Sequence, residues 1–239
     1  MIEIGKLYKH YGNKEILNDI NITLNSGEII GLLGLNGAGK TTLINHICGL
    51  IKPQKGNIYI NNKNIVDNLI NSKQIMGVVP EIQTYYKFLN PIQHLEFVYD
   101  IYSCDKNKKI DQMEKMLDLF NLFDFQNVPL KKCSKGTIQK TMLAMALIHN
   151  PEILILDEPF SGLDIPMIKK IKEYLKKLKE NNKLILLSTH IAEIAEGLCK
   201  KIAFLHNKHI VEYDYLSNLE TKYKINKVEN IFIKICGES

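Results

Sequence analysis

The chain alternates between short unbroken apolar runs and longer stretches in which apolar residues recur at helical spacing. The segment "GEIIGLLGLNGAGKTTLINHICGL" begins as an apolar run, passes through glycines and enters a helix-period pattern, which predicts strand, loop and helix in that order. "PEILILDEP" is a second short run ending in two carboxylates, and "NKLILLSTH" is a third ending in polar residues. Between those two, "IKKIKEYLKKLKENN" (residues 168–182) sets Ile168, Ile171, Leu175 and Leu178 on one helical face and lysines on the other. Strand, helix and strand in this order form a βαβ unit and predict a parallel sheet.

The amino end differs. Ile2, Ile4 and Leu7, and later "GNIYINNKNI" (56–65), predict additional antiparallel strands. From about residue 82 to residue 150 the pattern is helical, as in "NPIQHLEFVYDIY" and "DQMEKMLDLFNLF", with little strand signal. This region reads as a helical lobe inserted into an α/β domain. Internal repeats, low-complexity tracts and Gly-, Ser- or Pro-rich linkers are not seen.

Composition narrows the class. The 239 residues suit one large domain, and 45% hydrophobic with 24% charged residues is ordinary for a soluble globular chain. No apolar run approaches the roughly 18 residues of a bilayer span, and the start "MIEIGKLYKHYGNK" lacks the apolar core of a signal peptide. The chain is expected in the cytoplasm. Five scattered cysteines without a CxxC pair fit reduced thiols better than a disulfide framework or a zinc site. His206 and His209 are close enough to share a metal, yet no third ligand type clusters with them, so a plain turn is expected. A net charge of +5, from 31 basic and 26 acidic residues, is too small and scattered to imply a nucleic-acid groove.

The chemistry concentrates in three places. "GLNGAGKT", Gly34 to Thr41, fits the pattern GxxxxGK(S/T), after a strand and opening a helix. Its glycines let backbone N–H groups converge on phosphate oxygens, and the helix N-terminus adds positive partial charge. Lys40 is expected to reach the β- and γ-phosphates and the Thr41 hydroxyl to ligate Mg²⁺. The strand of "ILILDEP" delivers Asp157 to hold Mg²⁺ through its water shell and Glu158 to polarise an attacking water. His190, after "LLST", is placed to donate a hydrogen bond to the γ-phosphate.

Together these residues resemble the ATP-binding cassette (ABC) ATPases, over almost the whole chain. Tyr11 in "HYGNKEIL" resembles the aromatic that stacks on adenine, Gly34 to Thr42 the Walker A loop, and Ile153 to Glu158 the Walker B strand. "SGLD", Ser161 to Asp164, matches the D-loop, and His190 the switch histidine. The resemblance implies a P-loop NTPase (RecA-like) α/β core, about residues 1–81 and 151–239, with a parallel sheet and an N-terminal antiparallel β subdomain. An α-helical subdomain, about 82–150, is inserted into it. It also implies ATP and Mg²⁺ as ligands, with Asn36, Gly37, Ala38, Gly39, Lys40, Thr41, Thr42 and Asp164 on the nucleotide and Thr41, Glu81 and Asp157 on the metal. The family's Q-loop glutamine falls at Glu81 in "VVPEIQTYY", with Gln83 the out-of-register alternative.

Cassettes of this family close head to tail, each ATP lying between one P-loop and the partner's signature motif, usually LSGGQ. "KCSKGTIQK" (132–140) occupies that position; it keeps Ser134 and Gly136, the residues that meet phosphate, but carries Cys133, Lys135 and Thr137 where Leu, Gly and Gln are usual. Ser134 also reads as a helix N-cap, and the two readings are compatible. Glutamate at position 81 and "SKG" resemble cassettes that export drugs, bacteriocins and lantibiotics, and the tail from Val228 to Ser239 is similar to their closing segment. The implied function is ATP-driven export through a separate transmembrane permease, with a second cassette as partner, no nucleic acid, and a peripheral place on the inner membrane face. Tyr85, Tyr86 and Phe88 serve either as an anchor for that permease or as core of the helical lobe. The alternative function is a soluble ABC ATPase acting in iron–sulfur assembly or on nucleic acid or ribosomes.

Overall fold

Ile29–Leu33 (β3), Ile153–Asp157 (β7) and Leu184–Thr189 (β8) are buried at every position. That is why they read as unbroken apolar runs, since a parallel strand covered on both faces has no solvent side toward which to alternate. In the computed structural model, which describes residues 1–102 and 104–237, these strands form the centre of a six-stranded sheet ordered β10-β9-β3-β8-β7-β6. Met76–Val79 (β6), Lys201–His206 (β9) and His209–Tyr215 (β10) complete it. All pairings are parallel except that of β9 with β10. There the chain reverses through Asn207 and Lys208, both at positive φ, and His206 pairs with His209 across the turn.

Successive side chains of the central strands enter two different cores. Leu33, Leu156, Leu187 and Phe204 face one, and Leu32, Ile155, Leu186 and Leu205 the other. The second core is closed by helix Lys40–Ile47 (α1) and by an antiparallel sheet ordered β2-β1-β4-β5. Its strands are Ile2–Tyr11 (β1), Lys14–Leu24 (β2), Lys55–Ile60 (β4) and Lys63–Asn64 (β5). A short helix, Leu69–Gln74 (α2), leads from this sheet into β6.

The first core is closed by helices. Among the described residues, positions 82–150 contain no strand; they hold Pro91–Ile101 (α3), Lys109–Leu119 (α4) and Lys135–Leu147 (α5). Asn90 and Gln93 form a reciprocal capping box at the start of α3, where Pro91 removes a donor that would have no partner. α5 is buried on most of its surface, through Ile138, Met142, Leu143 and Leu147 among others. Ile165–Glu180 (α6) is amphipathic, burying Met167, Ile171 and Leu175 with its lysines outward. Ala192–Glu196 (α7), Leu216–Tyr223 (α8) and Val228–Gly237 (α9) complete this face through Ala195, Leu219, Val228 and Ile231. Glu238 and Ser239, the end of the exporter-like tail, lie outside the described residues. All five cysteines are free thiols, and burial pushes those of Cys48 and Cys199 up to about 12.

Among the described residues no helix is long and apolar enough to cross a membrane. Ile155, fully buried in β7, lies two residues before Asp157 at the strand's end. Ile155→Ala is expected to lower unfolding free energy by about 2–5 kcal/mol, measured by chemical denaturation, because the deleted methyl groups leave a cavity in a sheet packed on both sides.

Candidate functional site

Parallel pairing sets the ends of three strands in a row. Leu33 of β3 is opposite Thr189 of β8, and Ser188 of β8 is opposite Asp157 of β7. The loop leaving β3 and the residues leaving β7 and β8 therefore meet at one sheet edge, the place where open α/β sheets bind ligands. They line a cavity of about 560 Å³ together with Glu81 and Lys135.

Gly39 begins α1 at φ 107°, and a Cβ there would stand 3.1 Å from the Ile16 carbonyl oxygen. Only glycine holds that turn without strain, and it leaves the N–H groups of the first helical turn facing the cavity. The Lys40 ammonium is buried beneath the loop, donating to the carbonyls of Gly34 at 2.8 Å and Leu35 at 3.3 Å. Asn36, Gly37, Gly39, Lys40, Thr41 and Thr42 all line the cavity. Ala38 lines a neighbouring one of about 260 Å³, between the loop and the β9–β10 turn.

Thr41 is the junction of the expected metal set. Its Oγ1 lies 2.9 Å from Asp157 Oδ2 and 3.0 Å from Glu81 Oε2. One hydroxyl has one proton, so it can donate to only one of these carboxylates at a time. The other is left oxygen to oxygen, a contact that a proton or a cation relieves. The Ser188 hydroxyl donates to the second oxygen of Asp157. Burial pushes the Asp157 carboxyl above the usual carboxylate range; Glu81 and Glu158 add to that, while the Ser188 and Thr41 bonds oppose it.

Glu158 stands at φ 49°, in the left-handed region that non-glycine residues rarely enter. Its backbone N–H donates to the Ser188 carbonyl at 3.2 Å. Its Oε1 accepts from the His190 backbone N–H at 2.8 Å and lies 2.8 Å from His190 Nδ1, while Oε2 accepts from Thr189 Oγ1–H at 3.3 Å. With Nδ1–H on the carboxylate, Nε2 of a neutral ring is an acceptor; donation to a phosphate requires the doubly protonated ring.

The expected residues do not all assemble. Tyr11 is half-exposed at the end of the β1–β2 hairpin opposite Lys14, with Lys9 Nζ 4.6 Å from its ring centroid, and it lines neither cavity. Asp164 caps α6, accepting from the Met167 N–H at 2.8 Å. Ser134 caps α5, accepting from the Thr137 N–H at 3.1 Å, and does not line its own chain's cavity. Gly136 has a steric reason to be glycine, since a Cβ there would stand 2.7 Å from the Gly162 carbonyl oxygen of the "SGLD" loop. Glu81 and Gln83 part company: Glu81 reaches Thr41, and Gln83 donates to Gln139 Oε1 at 2.8 Å on α5. Ser161, Ser188 and Thr189 were not expected in the site. The polar end of an otherwise apolar strand in "LLSTH" was the signal for the last two.

Fold and site define a P-loop NTPase of α/β architecture. The family model described as ABC transporter matches residues 17–161. The bacitracin transport ATP-binding protein BcrA of Bacillus licheniformis is 34% identical over 227 residues, 93% of this chain and 73% of its own length. A solved ATP-binding subunit of an ABC transporter matches with a TM-score of 0.93 at 30% identity, covering 98% of each chain. A dimeric ATP-binding cassette in a post-hydrolysis state, bound to ADP and Pi, matches at 0.83 and 25% identity, over 90% of this chain and 98% of the other. The chain belongs to the ABC transporter family and is an ABC ATPase.

Because its folded-state pKa lies above the ordinary value, Asp157 holds a proton more readily folded than unfolded. Its contribution to stability is full below the ordinary carboxylate range and is lost as pH rises through the raised value. Asp157→Asn, a neutral mimic whose amide can donate to the Thr41 or Ser188 hydroxyl, is expected to be more stable than the parent at neutral pH without metal or nucleotide. The difference should close as pH falls below about 4, as read from denaturation midpoints across pH.

Proposed function

We propose that this chain is the nucleotide-binding subunit of a membrane exporter, closing on a second cassette around ATP and driving a drug, peptide or bacteriocin-like substrate through a separate permease. The observation that carries the reading is one cavity in which Lys40, Thr41, Glu81, Asp157, Glu158 and His190 face each other at a helix N-terminus. Phosphoryl transfer to water is mostly positioning and charge stabilisation, and these groups supply both.

In this reading Asn36 to Thr42 and the α1 N-terminus bind the phosphates, and Lys40 leaves its loop carbonyls for the β- and γ-phosphate oxygens. Thr41, Asp157 and Glu81 fit Mg²⁺: they are hard oxygen donors around one point, and the crowding at Thr41 Oγ1 is what a divalent cation relieves. Mg²⁺ would supply charge neutralisation on the phosphates. Glu158, held on both oxygens by Thr189 and His190, takes the proton of the attacking water, and His190 senses the γ-phosphate. Tyr11 stacks on adenine. Ser134 and Gly136 face the partner's nucleotide rather than their own, in keeping with Ser134's place outside its own cavity, and Asp164 anchors the D-loop at the dimer interface. The helical region 82–150 is the inserted subdomain of a core formed by 1–81 and 151–239.

The permease side is supported by the segment after β6. Tyr85 packs against the helical core, whereas Tyr86, Phe88 and Ile82 are exposed, with Tyr86 edge-on to Phe97. Exposed aromatics on a segment that also carries Glu81 suit a docking anchor tied to the metal site. Export of a peptide-like substrate draws on the relative named for bacitracin transport.

Glu158→Gln is expected to bind ATP normally, lose turnover by about 10²–10⁴-fold and accumulate as an ATP-bound dimer by light scattering; undiminished hydrolysis would remove Glu158 as the base. Affinity purification from detergent-extracted membranes is expected to recover a polytopic membrane protein with the chain. A partner found only in the soluble fraction would favour iron–sulfur assembly or a nucleic-acid role.

A further inference from the structure

Gln139, one turn into α5 and 3% exposed, joins two segments that carry different parts of the site. Its Nε2–H donates to the Pro159 carbonyl at 2.9 Å, and its Oε1 accepts from Gln83 Nε2–H at 2.8 Å. The same Gln83 nitrogen donates to the Lys135 carbonyl at 3.3 Å. Both amides are therefore oriented by backbone carbonyls, which can only accept: Lys135 turns the nitrogen of Gln83 inward, and Pro159 turns the nitrogen of Gln139 toward itself. Neither side chain can flip without setting carbonyl against carbonyl.

Pro159 directly follows Glu158, whose left-handed backbone must be held by its surroundings. On one side the Glu158 N–H is tied to Ser188 of β8. Proline has no N–H to contribute; the Glu158 carbonyl accepts from the Ser161 N–H at 3.4 Å within the turn, and the Pro159 carbonyl, the next acceptor along the chain, is held by Gln139 from α5. At the other end, Gln83 lies two residues from Glu81 and three from the exposed Tyr86.

We propose that Gln139 is a positioning residue for Glu158, and that the Gln83–Gln139–Pro159 relay makes the placement of that carboxylate depend on the conformation of residues 81–88. Movement of this segment withdraws Gln83, frees the Gln139 amide to turn and releases the Glu158–Pro159 turn from the anchor that α5 provides. Hydrolysis is then coupled to the exposed segment by a route separate from the Glu81 contact with Thr41. The proposal rests on Glu158 being the base that activates water.

The test is steady-state ATP hydrolysis by the full chain with Mg²⁺, using Gln139→Met and Gln83→Met, which keep side-chain volume and remove the amides. Gln139→Met is expected to lower kcat on the order of tenfold while KM for ATP and the melting temperature stay near the parent's. Gln83→Met lowers kcat less, and the double variant is no slower than Gln139→Met, as members of one chain of bonds behave. Parental kcat in Gln139→Met, additive losses in the double variant, or loss of KM and thermal stability along with kcat would each overturn the relay. Glu158→Gln in the same assay separates the two readings. If it hydrolyses ATP like the parent, the base assignment fails and the relay with it; if it is inactive while Gln139→Met is unimpaired, the relay alone fails.

Discussion

The structure depends on the parallel register of β3, β8 and β7. Leu33 against Thr189 and Asp157 against Ser188 align three chain segments that are far apart in sequence. A hairpin brings together only neighbours in sequence, whereas parallel strands joined by helical crossovers deliver the ends of distant segments to one edge. The phosphate loop, the paired carboxylates and the histidine are neighbours for that reason. The two cores on either face keep the strands in place, and an offset in any of them would separate hydroxyls from carboxylates that now sit about 3 Å apart.

At that edge, charge is balanced locally. Glu81, Asp157 and Glu158 bring three carboxylates into a cavity whose cations are Lys40, Lys135 and the ring of His190 when protonated. Burial, with the charges of Glu81 and Glu158 adding to it, raises the Asp157 carboxyl pKa against the opposing bonds from Ser188 and Thr41. Glu158 is held on both oxygens by Thr189 and His190. Two adjacent acids in one dipeptide thus occupy different environments, one crowded and suited to a cation, the other held in a single orientation.

The variant stretch "KCSKGTIQK" is more than a helix cap. Ser134 and Thr137 build the cap, Gly136 permits the backbone to approach Gly162, and Gln139 binds the turn after Glu158. Lys135, standing where the family usually has glycine, lines its own chain's cavity beside Glu158 and Ser161. α5 therefore touches the site of its own chain even while its N-terminus faces outward.

By itself the sequence determined the phosphate loop, the carboxylate pair, the βαβ unit and the helical character of residues 82–150, because each is written in local spacing: glycines before a helix, apolar runs of strand length, apolar residues every three or four. β6 was not legible, since four residues carry no period; only pairing with β7 makes Met76–Val79 a strand. The different surroundings of Glu81 and Gln83 were likewise not legible in sequence, where the two lie two positions apart: one side chain meets Thr41, the other the buried amide of Gln139. Tertiary structure also decided that Tyr11 lies outside the cavity and that His190 rests on Glu158. Spacing along a chain records which groups are present and what local shape they favour. Which of them meet depends on hydrogen bonds between residues 20 to 116 positions apart, and those form only once the sheet has set their distances and directions.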